Sequence, residues 1–96
     1  MPAYFILDAK IHDAAVYNEY VKAGSPSVPQ YGGKYIARGG RVEVLEGDWQ
    51  PNRIVIIEFE SFDQAKRWYH SPEYQQAALP GRLRSANSKA VIVEGR

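Results

Sequence analysis

The sequence has 96 residues, of which 45% are hydrophobic and 24% charged, and its 12 basic and 11 acidic residues leave a formal net charge of +1. This length predicts one domain over residues 1–96. The near balance of charge, without a Lys/Arg cluster, argues against the basic face that a nucleic-acid partner needs. The absence of cysteine excludes disulfides, thiolate nucleophiles and cysteine metal sites.

The N-terminal part of the chain predicts a strand followed by a helix. Tyr4–Ala9, YFILDA, is a short apolar run rich in strand-forming residues. It is too short for a signal or membrane-spanning helix, so we expect a cytoplasmic protein with no membrane partner. Asp13 is a good N-cap for the following AAVYNEYVKA, whose apolar residues at i,i+4 spacing form one stripe.

The middle of the chain predicts a hairpin centred on Gly39-Gly40. Alternating residues flank this pair in KYIARGGRVEV, and a two-residue type I′ turn needs positive φ at both central positions. A turn this tight places Arg38 opposite Arg41, with Ile36 and Arg38 on one face and Tyr35 on the other. A bulge in the loop is the alternative, and it would reverse these faces.

The second half predicts a strand, a helix and a last strand. Arg53–Phe59, RIVIIEF, is the strongest strand pattern in the chain. Ser61 and Gln64 predict a capping box, and Ser71-Pro72-Glu73 starts a second helical piece. KAVIVEG forms the final strand. The order βαββαβ predicts an α+β, ferredoxin-like fold with both helices on one face of an antiparallel sheet.

Two of the predicted strands are apolar on both faces, although two helices can cover only one face of a sheet. The uncovered face would expose Tyr4, Ile6, Ile54 and Ile56 as a large apolar patch, which usually marks an interface. We therefore expect a homodimer in which the sheets of two copies pack face to face.

Three stretches of the sequence resemble a known family. YGGKYIARGG, VEVLEGDWQPNRIVIIEF and WYHSPEYQ are similar to the small bacterial family described as domain of unknown function 1330, and the similarity runs from MPAY to VIVEG. The resemblance implies a dimeric α/β-barrel, in a superfamily that contains cofactor-free monooxygenases, isomerases and heme-handling enzymes. It implies no particular reaction, because the family itself has none assigned.

Asp8, Arg38 and Glu58 are the first candidate catalytic residues, as polar members of one layer of the sheet. Arginine binds a carboxylate or an enolate through two parallel hydrogen bonds. A carboxyl group among apolar residues has a raised pKa, which suits it to move a proton. The alternative is a structural ion pair at the sheet edge.

Aromatic residues and histidines form the second candidate set. Tyr17, Tyr20, Trp68 and Tyr69 are placed to line a slot for a flat organic ligand, or else to pack the helices onto the sheet. His70 is added to this ligand-binding set. His12 and His70 are candidate heme ligands or catalytic bases. They lie far apart in the sequence, without the close spacing of metal ligands, so we expect no metal and no cofactor.

These patterns together predict a cytoplasmic homodimer with a small, mostly apolar pocket in each copy. The glycine turns do not lead into helices, which disfavours a phosphate-binding loop. The pocket would bind or convert a small organic molecule by proton transfer or cofactor-free oxygen chemistry. The alternative is a non-catalytic ligand-binding or structural dimer, so the sequence leaves open whether the protein is an enzyme.

Overall fold

The computed structural model describes residues 1–96 and contains one four-stranded antiparallel sheet. The strands are β1 (Ala3–Ile11), β2 (Lys34–Arg38), β3 (Arg53–Phe59) and β4 (Ala86–Glu94), in the order β2-β3-β1-β4. The helices are α1 (Ala14–Gly24), α2 (Ser27–Gln30), α3 (Phe62–Tyr69), α4 (Pro72–Gln75) and α5 (Leu79–Ser85). The predicted ferredoxin-like βαββαβ order is confirmed, with α2, α4 and α5 as short additions.

β1 occupies the centre of the sheet because it pairs with both β3 and β4 along most of its length. Its residues alternate strictly, so that Phe5 and Leu7 point toward the helices and are at most 2% exposed. Tyr4, Ile6 and Asp8 point to the opposite side, which we call the open face. Trp68 of α3 packs edge-on against Phe5, with ring centroids 5.0 Å apart.

The predicted helix starts are confirmed by their caps. The Asp13 carboxylate accepts a hydrogen bond from Val16 N (3.2 Å), and the Ser61 hydroxyl accepts one from Gln64 N (3.0 Å). The reciprocal half of the predicted capping box is wrong. The Gln64 side chain instead donates to the carbonyl of Tyr31 (2.8 Å), because the chain before β2 leaves that oxygen within its reach.

The predicted two-residue hairpin at Gly39-Gly40 is wrong. Only Gly39 of this pair has positive φ (71°), and residues 39–52 form a long loop rather than a turn and a strand. β2 pairs with β3, so Arg38 lies opposite Val55 instead of Arg41. The reason is burial, because β3 contributes three fully buried apolar side chains on its helix side, whereas residues 41–45 stay exposed.

The open face carries apolar side chains that no helix covers. Tyr4, Ile6, Ile54 and Ile56 are half-buried there, whereas Val91 and Val93 of β4 are 59% and 47% exposed. The observed patch is therefore larger than the sequence suggested, because β4 extends it. None of the helices is both long enough and apolar enough to cross a membrane.

We expect Gly33→Ala to destabilise the fold. A Cβ at this position would lie 2.6 Å from Cε1 of Phe59, whose ring is fully buried. Overpacking of this kind costs about 1–3 kcal/mol, and urea denaturation would measure it. Gly40→Ala is the matched control, because no atom lies within 4 Å of its added Cβ and its φ is not positive. Equal unfolding midpoints for the two variants would contradict this account of Gly33.

Candidate functional site

A narrow concave site lies between α1 and the helix side of the sheet, and we call it the tyrosine cleft. Its polar lining consists of Tyr17, Tyr20, Tyr35, Tyr74, Ser25, Arg38 and Arg53. Phe5, Leu7, Val55 and Trp68 are among its apolar lining residues. The space inside the cleft that a water-sized sphere can enter is about 20 Å³, which is room for roughly one water molecule, and the cleft is partly open to solvent. It is narrow, so a bound group must be small or must displace side chains at the mouth.

A bulge in β2 places Arg38 at this cleft. Tyr35 pairs with Ile57 and Ala37 pairs with Ile56, so Ile36 is an extra residue between them. An extra residue reverses the side to which the following residues point. The predicted position of Arg38 on the open face with Asp8 and Glu58 is therefore wrong. Its Nη2 instead donates to the hydroxyl of Ser25 (2.6 Å).

Arg53, the first residue of β3, is the second guanidinium of the cleft. Its Cζ lies 5.7 Å from the centre of the Tyr17 ring, and its buried Nε has no hydrogen-bond partner. Gly39 packs directly against this guanidinium, where any larger residue would collide with it.

The cleft contains no acidic residue, and neither Arg38 nor Arg53 forms a salt bridge. The Arg38 guanidinium stacks on Tyr35, with its Cζ 4.1 Å from the ring centre. Stacking of this kind stabilises the cation without neutralising it. The cleft therefore holds two uncompensated positive charges.

A chain of hydrogen bonds lies beneath the cleft. The hydroxyls of Tyr20 and Tyr74 are 2.8 Å apart, and Arg82 Nε donates to the Tyr74 hydroxyl at 3.3 Å. Arg82 is 3% exposed, and its Nη1 donates to the hydroxyl of Ser88. No carboxylate is bound to Arg82, and its buried guanidinium contacts two hydroxyls and lies over the face of the Tyr20 ring.

The direction of these hydrogen bonds follows from their donors. Arginine only donates, so the Tyr74 oxygen accepts from Arg82. Tyr74 is 1% exposed, and Tyr20 is the one acceptor within reach of its hydrogen. Leaving that hydrogen without an acceptor would cost about 1–3 kcal/mol. This cost favours Tyr74 as the donor and Tyr20 as the acceptor of their shared hydrogen bond.

Burial raises the pKa of Tyr20 and of Tyr74 above the ordinary value of 10.0. For Tyr20 the proximity of Tyr74 adds to the increase, whereas for Tyr74 the charge of Arg82 opposes it. Burial also raises the pKa of Tyr17, against the charges of Arg53 and Arg82. These hydroxyls remain protonated and act as neutral donors at physiological pH.

Asp8 and Glu58 do not line the cleft and lie on the open face. Both oxygens of Asp8 hold the 39–52 loop, because they accept from Trp49 Nε1 (3.0 Å) and from Asn52 N (2.9 Å). Glu58 interacts with Lys34 (3.6 Å) and accepts from the Tyr4 hydroxyl (3.4 Å). Asp8 pairs with Ile54 at the other end of the same two strands, so the structure does not bring the three predicted catalytic residues together.

The predicted ligand-binding residues divide between two sites. Tyr17, Tyr20 and Trp68 line the tyrosine cleft, where the Trp68 indole is a buried core group that donates to the Ser27 hydroxyl (2.9 Å). Tyr69 and His70 line an open groove between α3 and β4 with a volume of about 400 Å³. They face it together with Phe5, Phe62, Lys66, Ala90, Val91 and Ile92. The groove contains a lysine but no arginine.

The histidines do not form part of a metal cluster. The His70 ring packs edge-on against Tyr69, and the backbone N of His12 donates to the carbonyl of Ser85 (2.8 Å). No three side chains of His, Cys, Asp or Glu lie close enough together to hold a metal ion.

Sequence reasoning missed Arg53, Tyr74 and Arg82 as site residues. Arg53 opens the strand RIVIIEF, and an arginine at a strand start is ordinarily a solvated end. Tyr74 and Arg82 lie in separate short helices, and no spacing rule connects them. The sequence feature that could have pointed to Arg53 is the Gly39-Gly40 pair at the start of the loop, because Gly39 leaves room for the Arg53 guanidinium.

The four-stranded sheet with its helices on one side, and a cleft between the two layers, define an α+β protein of the ferredoxin-like type. The chain belongs to the family described as "Domain of unknown function (DUF1330)", whose model matches residues 2–96. No curated protein sequence matches the chain significantly.

Solved structures with the same fold support this class. A protein of unknown function from Rhodopseudomonas palustris has a TM-score of 0.79 at 18% identity, covering 99% of this chain and 82% of that one. SnoaB from Streptomyces nogalater, described as a cofactor-independent oxygenase, has a TM-score of 0.66 at 13% identity, with 99% and 93% covered. A Bacteroides fragilis protein described as dimeric and ferredoxin-like has a TM-score of 0.62 at 16% identity, with 98% and 96% covered.

We expect Tyr74→Phe to destabilise the protein by about 1–3 kcal/mol, because it leaves the buried Arg82 Nε without its acceptor. The control is Tyr31→Phe, which removes only an exposed hydrogen bond to Glu73. Urea unfolding would measure both changes. A Tyr74→Phe variant as stable as Tyr31→Phe would contradict the proposed hydrogen-bond chain.

The raised pKa values of Tyr20 and Tyr74 predict how stability depends on pH. A group whose pKa is higher in the folded state contributes stability that is complete below its unfolded pKa, near the ordinary 10.0, and that is lost as the pH rises above it. We therefore expect the melting temperature to fall above that pH, and to fall less in Tyr20→Phe. An unchanged slope in this variant would show that Tyr20 does not contribute.

Proposed function

We propose that the protein is a cytoplasmic homodimer that binds a small organic molecule in the tyrosine cleft of each copy. The observation that carries this proposal is the lining of the cleft. Its walls are aromatic and apolar, the Nε–H of Arg53 is a donor that no group of the chain uses, and the tyrosines add polar groups to the lining. Small-molecule sites combine such apolar walls with a few directed polar groups.

The chemistry we propose is proton transfer or cofactor-free oxygen chemistry on a flat, enolisable molecule. The support is fold-level analogy, because SnoaB is described as a cofactor-independent oxygenase and shares the fold. Of the three residues predicted as catalytic, we assign a ligand-contacting role to Arg38. We assign structural roles to Asp8 and Glu58, whose oxygens are engaged with the 39–52 loop and with Lys34 and Tyr4.

Non-catalytic binding is the alternative function, and the narrowness of the cleft favours it. No carboxylate lines the cleft, so a proton acceptor would have to come from the substrate or from a tyrosine whose pKa burial raises. Oxygen uptake distinguishes the two functions. With a dihydroxynaphthalene as substrate, an oxygenase consumes O2 without added metal or flavin, and Tyr20→Phe slows it, whereas a binding protein consumes none above the uncatalysed rate.

The binding proposal predicts where ligands contact the chain. In an NMR screen of aromatic and keto-acid fragments, we expect shift changes at the amides of Tyr17, Tyr20 and Arg53. Fragments that shift only Tyr69 and His70 would place binding in the α3–β4 groove instead. Fragments that shift neither set would contradict a small-molecule function.

The homodimer is supported by the uncovered open face and by the Bacteroides fragilis protein that is described as dimeric. We expect Val91→Glu to convert the dimer to a monomer, because it places a charge beside Ile6 at the centre of that face. Leu83→Glu is the matched control, since Leu83 is 63% exposed on α5, away from the open face. Light scattering after gel filtration measures the mass, and a monomeric wild type would contradict the proposal.

A further inference from the structure

We propose that the tyrosine cleft selects an organic anion, and that Arg53, Arg38 and the Tyr20 hydroxyl together bind its carboxylate. This inference rests on the proposed small-molecule function and gives it a ligand class. It is carried by three observations: unpaired arginines, a free hydroxyl hydrogen and the absence of acidic groups.

The first observation is the state of the two arginines. Arg53 has a buried Nε with no acceptor in the protein, although a buried donor normally has a partner. Arg38 is bound only to the neutral Ser25 hydroxyl and stacked on Tyr35. Both guanidinium groups therefore keep free donors, and a carboxylate is the group that a guanidinium binds through two parallel hydrogen bonds.

The second observation is the favoured direction of the hydrogen bond between Tyr20 and Tyr74. Arg82 donates to Tyr74, and when Tyr74 in turn donates to Tyr20, the hydrogen of the Tyr20 hydroxyl has no acceptor in the chain. An oxygen anion beside the two arginines would be that acceptor. Arg82 acts here as a positioning residue, since it orders the hydroxyls without reaching the cleft itself.

The third observation is the sign of charge around the cleft. The ionisable groups that line it are tyrosines and arginines, with Arg82 beneath them and no Asp or Glu. The C-terminal end of α1 reaches the cleft at Gly24 and Ser25 and contributes a partial negative charge. Because that partial charge is about half a unit, it cannot neutralise two guanidinium groups. The field therefore favours a singly charged anion over a neutral or cationic ligand.

The test compares benzoate with benzyl alcohol, two probes with the same ring and different charge, by NMR titration. We expect benzoate to bind the wild type more tightly, and to move the Arg53 Nε–H resonance downfield as this donor gains an acceptor. Arg53→Gln should lower the affinity for benzoate at least about tenfold. Arg38→Gln should weaken it about threefold, because Arg38 is exposed and water screens its charge. Benzyl alcohol should be unaffected by either substitution.

Further variants separate a direct role from damage to the fold. Arg53→Lys keeps the positive charge but not the two parallel N–H donors of the guanidinium. We expect it to retain part of the benzoate affinity that is lost in Arg53→Gln. Tyr20→Phe should lower the affinity for benzoate and leave the affinity for benzyl alcohol unchanged. The control is Arg67→Gln on α3, where the exposed Arg67 hydrogen-bonds to the Gln64 side chain, and it should change neither affinity.

The possible outcomes distinguish this inference from the function on which it rests. If both probes bind with equal affinity and the Arg53 Nε–H resonance does not move, the cleft binds small molecules without selecting anions, and the inference is wrong. If neither probe binds up to its solubility limit, the proposed function is overturned and the inference with it. Tighter binding of benzoate that Arg53→Gln abolishes supports both.

Discussion

The central position of β1 is the constraint on which the rest of the structure depends. One side of this strand is buried against the aromatic side chains of the helices, and the other side is half-buried on the open face. Because β1 pairs with both β3 and β4, it sets the register of three strands at once. That register determines which residues of β3 face the cleft and which face outward, and so places Arg53 and Glu58 on opposite sides of one sheet.

The tyrosine cleft depends on a second, smaller constraint, the bulge at Ile36. Without the extra residue, strict alternation would put Arg38 on the same side as Glu58, and the cleft would hold one guanidinium fewer. The two faces of the sheet consequently have different electrostatic character. The helix side collects arginines and tyrosines without carboxylates, whereas the acids of β1 and β3 are on the open side, bound to the 39–52 loop and to Lys34.

Local sequence patterns were sufficient to predict the main strands and the helix starts, but not the 39–52 loop. Alternation in YFILDA and RIVIIEF, and the caps at Asp13, Ser61 and Ser71, predicted strands and helix starts that the structure confirms. The hairpin prediction failed because β2 pairs with β3 and RVEVL forms no strand. RVEVL alternates like a strand but its residues stay exposed, whereas β3 pairs with β1 and buries three apolar side chains against the helices.

The candidate site was predicted only in part. Tyr17, Tyr20 and Arg38 were recognised by residue type, and they do line one cleft. Their proposed companions Asp8 and Glu58 were assigned by parity, and a single bulge was enough to make the grouping wrong. Arg82 and Tyr74 escaped notice, because a buried arginine that binds a tyrosine hydroxyl leaves no spacing pattern in the sequence.

The sequence by itself determined the order of the elements, the starts of the helices and the excess of apolar residues on two faces of the sheet. These properties depend on side-chain periodicity and local capping, which act between neighbours in the chain. Only the tertiary structure decided which polar groups meet. The unpaired Nε of Arg53, the stacking of Arg38 on Tyr35 and the Arg82–Tyr74–Tyr20 chain each join residues from different elements. Their contacts follow from strand register and helix packing, which no local pattern encodes.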